Sequence, residues 1–263
     1  MELIILIIII AFIFELMDSI AGMGFGTALA PLLLLLGYSP LQVVPTLLIS
    51  EALTGAIDAF FDHEFQNVRF SFHPINDATK LSILIASFGC MAIGISIFLG
   101  YYTLRFPDFL IKMYVAILVL LMGIFATVRI FIKNLNRNKR NIRLIVIFST
   151  IAGFNKGIGG GGYGPVIMMG QLFSGIYEKS AAAIVSLAES IVSFVGIVTF
   201  MVISSIGVEI DLILLPSIFT GGFIASILAP YLTRVLPNKI WRYFIPVYAI
   251  GIGTYLILQL FCF

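Results

Sequence analysis

The sequence predicts an all-α polytopic membrane protein, and three observations predict it. Hydrophobic side chains make up 60% of the 263 residues and charged ones 11%, against roughly 25% charged in an ordinary soluble domain, and the mean hydropathy is +1.13. The apolar stretches run for about 20 residues or more, the length an α-helix needs to cross the hydrocarbon core, without the alternation of outer-membrane strands. Two of these stretches are interrupted by Gly- and Pro-rich segments, where lipid would leave freed backbone groups unsatisfied.

Charged and turn-forming residues divide the chain into eight expected spans: 2–36, 41–61, 79–100, 108–132, 143–173, 178–205, 211–233 and 239–262. Met1-Glu2 leads directly into Leu3-Ile4-Ile5-Leu6-Ile7. With no basic n-region and no small-residue cleavage site, the first span reads as a retained helix rather than a removable signal peptide. It is broken by Gly22-Met23-Gly24-Phe25-Gly26. Gly37-Tyr38-Ser39-Pro40 then makes a tight turn into the second span. Polar residues 62–77 separate the second and third spans. Lys133, Arg137, Lys139, Arg140 and Arg143 crowd the boundary between the fourth and fifth. The fifth span is broken by Gly157-Ile158-Gly159-Gly160-Gly161-Gly162-Tyr163-Gly164-Pro165. No stretch remains for a soluble catalytic or ATP-hydrolysing module.

The chain also repeats itself. An offset of 138 places Gly22 on Gly160, Gly24 on Gly162, Phe25 on Tyr163, Gly26 on Gly164, Gly37 on Gly175 and Glu51 on Glu189. Further on, an offset of 130 places Pro107 on Pro237, Asp108 on Asn238, Lys112 on Arg242 and Gly123 on Gly253. The expected organisation is two homologous four-helix repeats, 1–132 and 143–263, joined by a basic connector, 133–142, with the glycine break in the first helix of each. Four spans per repeat imply a parallel duplication about an axis along the membrane normal. Counted over eight spans, eight Lys and Arg fall on the face of the termini and six on the other, which places the termini in the cytoplasm by the positive-inside rule. The expected location is a prokaryotic-type plasma (inner) membrane.

The breaks are the candidate site. Packing of small residues explains an isolated Gly-xxx-Gly pair, but four consecutive glycines strip a helix of side-chain contacts and Pro165 removes a backbone donor. Broken helices supply N-termini whose free N–H groups and dipoles favour anions. The expected substrate-binding residues are therefore Gly22, Gly24, Gly26, Lys156, Gly160, Gly161, Gly162, Tyr163 and Gly164. Charges buried in a membrane cost ~2.5–3.5 kcal/mol each on the insertion scale, so Glu15, Asp18, Glu51, Asp58, Lys156 and Glu189 should face the bundle interior or a wet cavity. Offset 138 sets Lys156 opposite Asp18, so Lys156 either pairs with Asp18 or holds a substrate anion. Asp18, Glu51 and Glu189 are expected to carry a coupling proton or to organise the broken helix ends. Glu15 and Asp58 read equally well as structural groups.

Other chemistries are excluded. Gly159, Gly161 and Gly164 match G-x-G-x-x-G, but no strand precedes them in a βαβ unit, and no Gly-Lys-Ser or Gly-Lys-Thr occurs for a phosphate-binding loop. Cys90 and Cys262 form no metal or disulfide spacing, and His63 and His73 lack further ligands for a metal. Trp241, Tyr243 and Tyr101-Tyr102 suit interfacial anchoring. A net charge of +2 gives no basis for a nucleic-acid partner. No catalytic constellation, metal site or cofactor is expected, and the chain does not read as an enzyme. Its expected partners are a small anion, a coupling proton and the lipid bilayer, and homo-oligomerisation is left open.

Ala21-Gly22-Met23-Gly24-Phe25-Gly26, the glycine segment at 157–165, the Gly37-Tyr38-Ser39-Pro40 turn and the duplicated layout together resemble the sulfite exporter TauE/SafE family, also called the toluene sulfonate uptake permease family. The resemblance covers essentially the whole chain. It implies a membrane permease for sulfite, sulfoacetate or another sulfur-containing organic anion. Met23 and Phe25 interrupt a glycine run that is often denser in the family, Pro31 has no counterpart at Met169, and Val43-Val44-Pro45-Thr46-Leu47-Leu48-Ile49-Ser50-Glu51 looks like a branch variant of the second span. The expected function is a secondary transporter for a small anion of this class; an anion channel and a non-transporting membrane scaffold are the alternatives.

Overall fold

The computed structural model describes residues 3–22, 24–131, 141–174, 176, 178–235 and 239–262. Among these are ten α-helices: α1 (Ile5–Ala21), α2 (Phe25–Leu35), α3 (Pro40–Glu64), α4 (Asp77–Ile97), α5 (Asp108–Phe131), α6 (Ile142–Gly159), α7 (Tyr163–Phe173), α8 (Glu178–Ser205), α9 (Leu215–Val235) and α10 (Lys239–Cys262). The π-helical segment Phe98–Thr103 extends α4. Six helices are long and apolar enough to cross a membrane: α3, α4 with its extension, α5, α6, α8 and α9. Of the sequence expectations, Met23, Gly175, the basic residues of 133–140, Pro237, Asn238 and the side chain of Trp241 lie outside the described residues.

Helix starts follow their local chemistry. Ser39 and Gln42 close a capping box with Pro40 in the first turn of α3. Asn76 accepts from Thr79 N–H at 2.9 Å at the start of α4, and Asn141 accepts from Leu144 N–H at 3.3 Å at the start of α6. Each satisfies a donor that the first turn leaves free.

Small residues let the helices approach closely, and the contacts fix their directions. Ile4 N–H donates to Ser217 Oγ and Thr233 Oγ1 donates to Ser19 O, so α1 and α9 run parallel. Gly153 of α6 lies against Gly89 of α4, and Gly157 against Ile93 and Ser96, so these two also run parallel. Asp58 of α3 accepts from Ser186 of α8 while Ser190 donates to Ala52 O, so α3 and α8 run antiparallel. Gly123 of α5 meets Ala249 and Ile250 of α10, and Gly253 meets Ala116 and Leu120, again antiparallel.

Each glycine break is a hairpin turn, where the sequence reading counted one broken span as a single crossing. Ser174, just past α7, donates to Asn141 O at the start of α6 at 3.2 Å, and Gly170 packs on Phe148; α7 therefore folds back along α6. Tyr248 packs against Phe14 of α1 and donates to Ala28 O of α2 at 2.8 Å. The chain leaves α2 for the end of α3 where Gln42 donates to Asp211, close in sequence to Ser217 and hence to the start of α1. A residue in the left-handed region ends each first arm, Gly22 at φ +62° and Gly160 at φ +72°, a conformation open to glycine at little steric cost.

Two expectations change as a result. Both hairpins return the chain to the end from which it came, so directions alternate through all ten helices and the start of α1 lies at the opposite end from the start of α6. The end of α5 and the start of α6 therefore do not share a face with the start of α1 and the end of α10. Helices matched by the sequence offset, α3 with α8 and α5 with α10, run antiparallel, so a parallel duplication does not describe the chain. The reason is the same in both cases: a span count read from hydropathy takes a hairpin of two short arms for one crossing.

Candidate functional site

The two hairpin turns meet in the core. The backbones of Gly26 and Gly160 are in contact, and a methyl group at Gly161 would stand 2.6 Å from Gly26 O. Further along the same seam, Gly164 packs against Gly22 and Gly24, and Gly22 against Met168. Only glycine permits this approach of backbone to backbone. Tyr163 and Gly164, like the glycines around them, are buried.

The N–H groups freed at the turns are taken by the protein's own oxygens. Gly24 N–H donates to Asp18 Oδ1 at 2.7 Å, Gly26 N–H to Glu51 Oε1 at 3.0 Å, and Gly162 N–H to Thr27 Oγ1 at 2.8 Å. A carboxylate at a helix N-terminus is favoured by charge and dipole together. Glu51 thus accepts from the broken end of α2 through one oxygen and from Lys156 through the other.

Lys156 stands at the centre of the cluster with no solvent exposure. Its Nζ donates to Glu51 Oε2 at 2.5 Å and to Glu189 Oε1 at 2.6 Å, and lies 5.5 Å from the centre of the Tyr163 ring. Lys156 thus pairs with the two repeat-equivalent glutamates rather than with Asp18. Because α3 and α8 cross antiparallel at this height, Glu51 and Glu189 come to the same point from opposite directions. One lysine between two carboxylates leaves a formal charge of −1 if all three are ionised, in a place where unpaired charge is costly.

Further residues of the site had little sequence signal. Thr27 caps α7 across the seam, and Ser19 and Ser186 donate to Asp58 at 2.8 and 2.9 Å; these partners lie far apart in sequence. Asp62, also buried, accepts from Asn67 at 2.7 Å. Only its register was legible: Glu51, Asp58 and Asp62 follow one another at i, i+7 and i+11 on one stripe of α3.

The family model for the sulfite exporter TauE/SafE family matches residues 7–256. The chain belongs to the TauE/SafE family. It is 26% identical over 230 residues, covering 84% of this chain and 71% of the relative, to the protein of Bacillus subtilis (strain 168) named "Probable membrane transporter protein YtnM". No solved structure matches the chain. The expectation of a membrane transporter is thereby met. In this TauE/SafE chain the glycine segments that carried the resemblance are the hairpin turns themselves.

Proposed function

We propose that this TauE/SafE chain is a secondary permease for a small anion of the sulfite or organosulfonate class, coupled to protons through the Lys156 cluster. The carrying observation is Lys156, fully buried between Glu51 and Glu189 at the meeting point of the two hairpin turns. With both glutamates ionised, the lysine is neutralised and offers an anion nothing. A proton on Glu189 or Glu51 frees positive charge on Lys156, and an anion can then take the place of the released carboxylate at Lys156 Nζ, beside the turn of Gly160, Gly161 and Gly162. Anion and proton would bind together because neither charge state is tolerable alone in a low-dielectric site. The reading requires no catalytic step, metal or cofactor.

The layout proposed to move this site is a pair of inverted repeats, 1–132 and 143–263, of five helices each. Its support is the pattern of partners: exchanging α1–α5 with α6–α10 turns the α1/α9 contact into α6/α4 and α3/α9 into α8/α4, and leaves α3/α8 and α5/α10 unchanged. An odd number of helices per repeat, with antiparallel equivalents, corresponds to a two-fold axis in the membrane plane, as in many transporters. The shorter hairpin arms α2 and α7, eleven residues each, reach ~16 Å, about half of a ~30 Å hydrocarbon core. Two such hairpins entering from opposite faces bring their turns together near the midplane.

Orientation follows from charge. With directions alternating through ten helices, eight Lys and Arg among the described residues fall at the end shared by the start of α6, two, Arg105 and Lys112, fall at the other, and the remaining one is Lys156. The positive-inside rule then puts the basic face in the cytoplasm and the start of α1 outside.

The test is flux. Purified protein in proteoliposomes should take up sulfite or sulfoacetate when an inward proton gradient is imposed, and Glu189→Gln, which leaves Lys156 paired with Glu51, should abolish that uptake while the protein remains folded. No flux of any anion from well-folded wild-type protein would refute the permease reading; flux that ignores the pH gradient and runs at channel rates would assign the chain to a channel instead.

A further inference from the structure

Beside the Lys156 cluster, between α1, α3 and α8, lies a cavity of about 10 Å³ whose lining includes Glu15, Asp18, Glu51, Thr54, Asp58, Ser186 and Glu189. That is room for about one water-sized particle. Two of its buried polar atoms have no partner. Glu15 Oε2 and Thr54 Oγ1 make no hydrogen bond, although Glu15 is 4% exposed and Thr54 1%, and the Thr54 hydroxyl lies beside the Glu15 carboxyl. Native structures rarely leave such atoms empty-handed.

The charge is one-sided. Glu15 is within electrostatic range of Asp18, Asp58 and Glu51, and Asp18 and Asp58 are each within range of Glu189. Among the described residues the only buried base is Lys156 of α6, already shared between Glu51 and Glu189. Tyr163 of α7 adds a phenol near Lys156. Thr233 of α9, which also faces this region, carries no charge. No group of three or more acidic, His or Cys side chains among the described residues is arranged to hold a metal ion, so a cation here would be held by fewer carboxylates together with hydroxyl oxygens. Of the five carboxylates on the lining, Glu51 and Glu189 face Lys156 and Asp18 accepts from Gly24 N–H; Glu15 and Asp58, with the hydroxyls of Thr54 and Ser186, are left for one small, singly charged particle.

We propose that this cavity binds one monovalent cation, delivered either as a sodium ion between Glu15, Asp58 and the Thr54 hydroxyl or as a proton on Glu15. Its role as the coupling ion rests on the permease reading above; its binding does not. The bound charge offsets the carboxylates around Glu189 and so governs how firmly that glutamate holds Lys156. On α3, Asp58 and Asp62 stand ~10 and ~16 Å along the helix axis from Glu51, on the same stripe, and Asp62 meets the connector to α4 through Asn67.

The experiment is thermal unfolding of the purified full chain in detergent, in sodium chloride against choline chloride, at several pH values. For the sodium source, the melting temperature rises saturably with sodium, and Thr54→Val weakens the apparent affinity about tenfold. For the proton source, it rises as pH falls, regardless of sodium, and Thr54→Val leaves that rise intact. In either case Glu15→Gln, or Asp58→Asn as a second variant, removes the response. A melting temperature indifferent to both cations, or a response unchanged in folded Glu15→Gln and Asp58→Asn, overturns the proposal. Cation binding without anion flux in proteoliposomes would strike the permease reading alone.

Discussion

Lys156 decides the behaviour of the centre at the scale of single residues. Removing one partner of a buried ion pair leaves an uncompensated charge and costs about 3–5 kcal/mol, and here the loss of the amine would strand two carboxylates. Lys156→Met should therefore destabilise the protein by roughly that amount, read as a fall in melting temperature in detergent. Adding Glu51→Gln and Glu189→Gln should recover most of the loss without restoring transport. If the triple variant is no more stable than Lys156→Met alone, the electrostatic account of the cluster is wrong. The two glutamates are not interchangeable, because Glu51 also accepts from Gly26 N–H at 3.0 Å and so holds the start of α2. Glu189→Gln should abolish proton-driven uptake with a small change in stability, and Glu51→Gln should disturb both; proton-driven uptake surviving in both single variants would remove the glutamates from the proton path.

The hairpin is the unit that matters at the scale of elements. Its arms are short, so its position depends on the seam where glycine meets glycine. Gly161→Ala sets a methyl group 2.6 Å from Gly26 O and 2.9 Å from Thr27 Cα, against backbone that has no side chain to rotate aside. The turns must separate, and the protein should lose the folded fraction recovered by size-exclusion chromatography together with transport. Gly251→Ala is the control: its added carbon meets nothing within 4 Å, and a helical alanine gains about 0.5–1 kcal/mol over glycine. Equal damage from both substitutions would mean that the seam is not what holds the hairpins.

The whole molecule is defined by alternation of direction, and that has a topological consequence. His73, in the α3–α4 connector, and Glu209, in the α8–α9 connector, are both exposed and fall at opposite ends of the bundle. In a background with Cys90 and Cys262 replaced, a membrane-impermeant maleimide should label Glu209→Cys in intact cells and His73→Cys only after permeabilisation. Reversed labelling would invert the proposed orientation, and labelling of both from one side would contradict the alternation itself. The same alternation gathers the basic residues on one face. Lys179 and Arg234, set apart from the start of α6 in a count of eight spans, join it once the hairpins are recognised.

Hydropathy, glycine pattern and isolated charges in the sequence establish a helical membrane protein, the places where its helices are interrupted, and the burial of Glu15, Glu51, Asp58, Lys156 and Glu189, though not that of Asp62. Those properties are local or additive: hydropathy sums over a window, glycine and proline act on their own turn, and a charge in an apolar run is visible where it stands. The sequence also paired the interruptions and the two glutamates, because an offset survives in the residues themselves. Tertiary structure alone decided that each interruption reverses the chain, that Lys156 answers Glu51 and Glu189 instead of Asp18, and that Thr27, Ser19 and Ser186 complete the cluster. A break in a helix states only that the axis stops. Whether the next arm continues or folds back depends on what it packs against, and for α2 and α7 that is settled by contacts with Tyr248 and Phe148, far away along the chain.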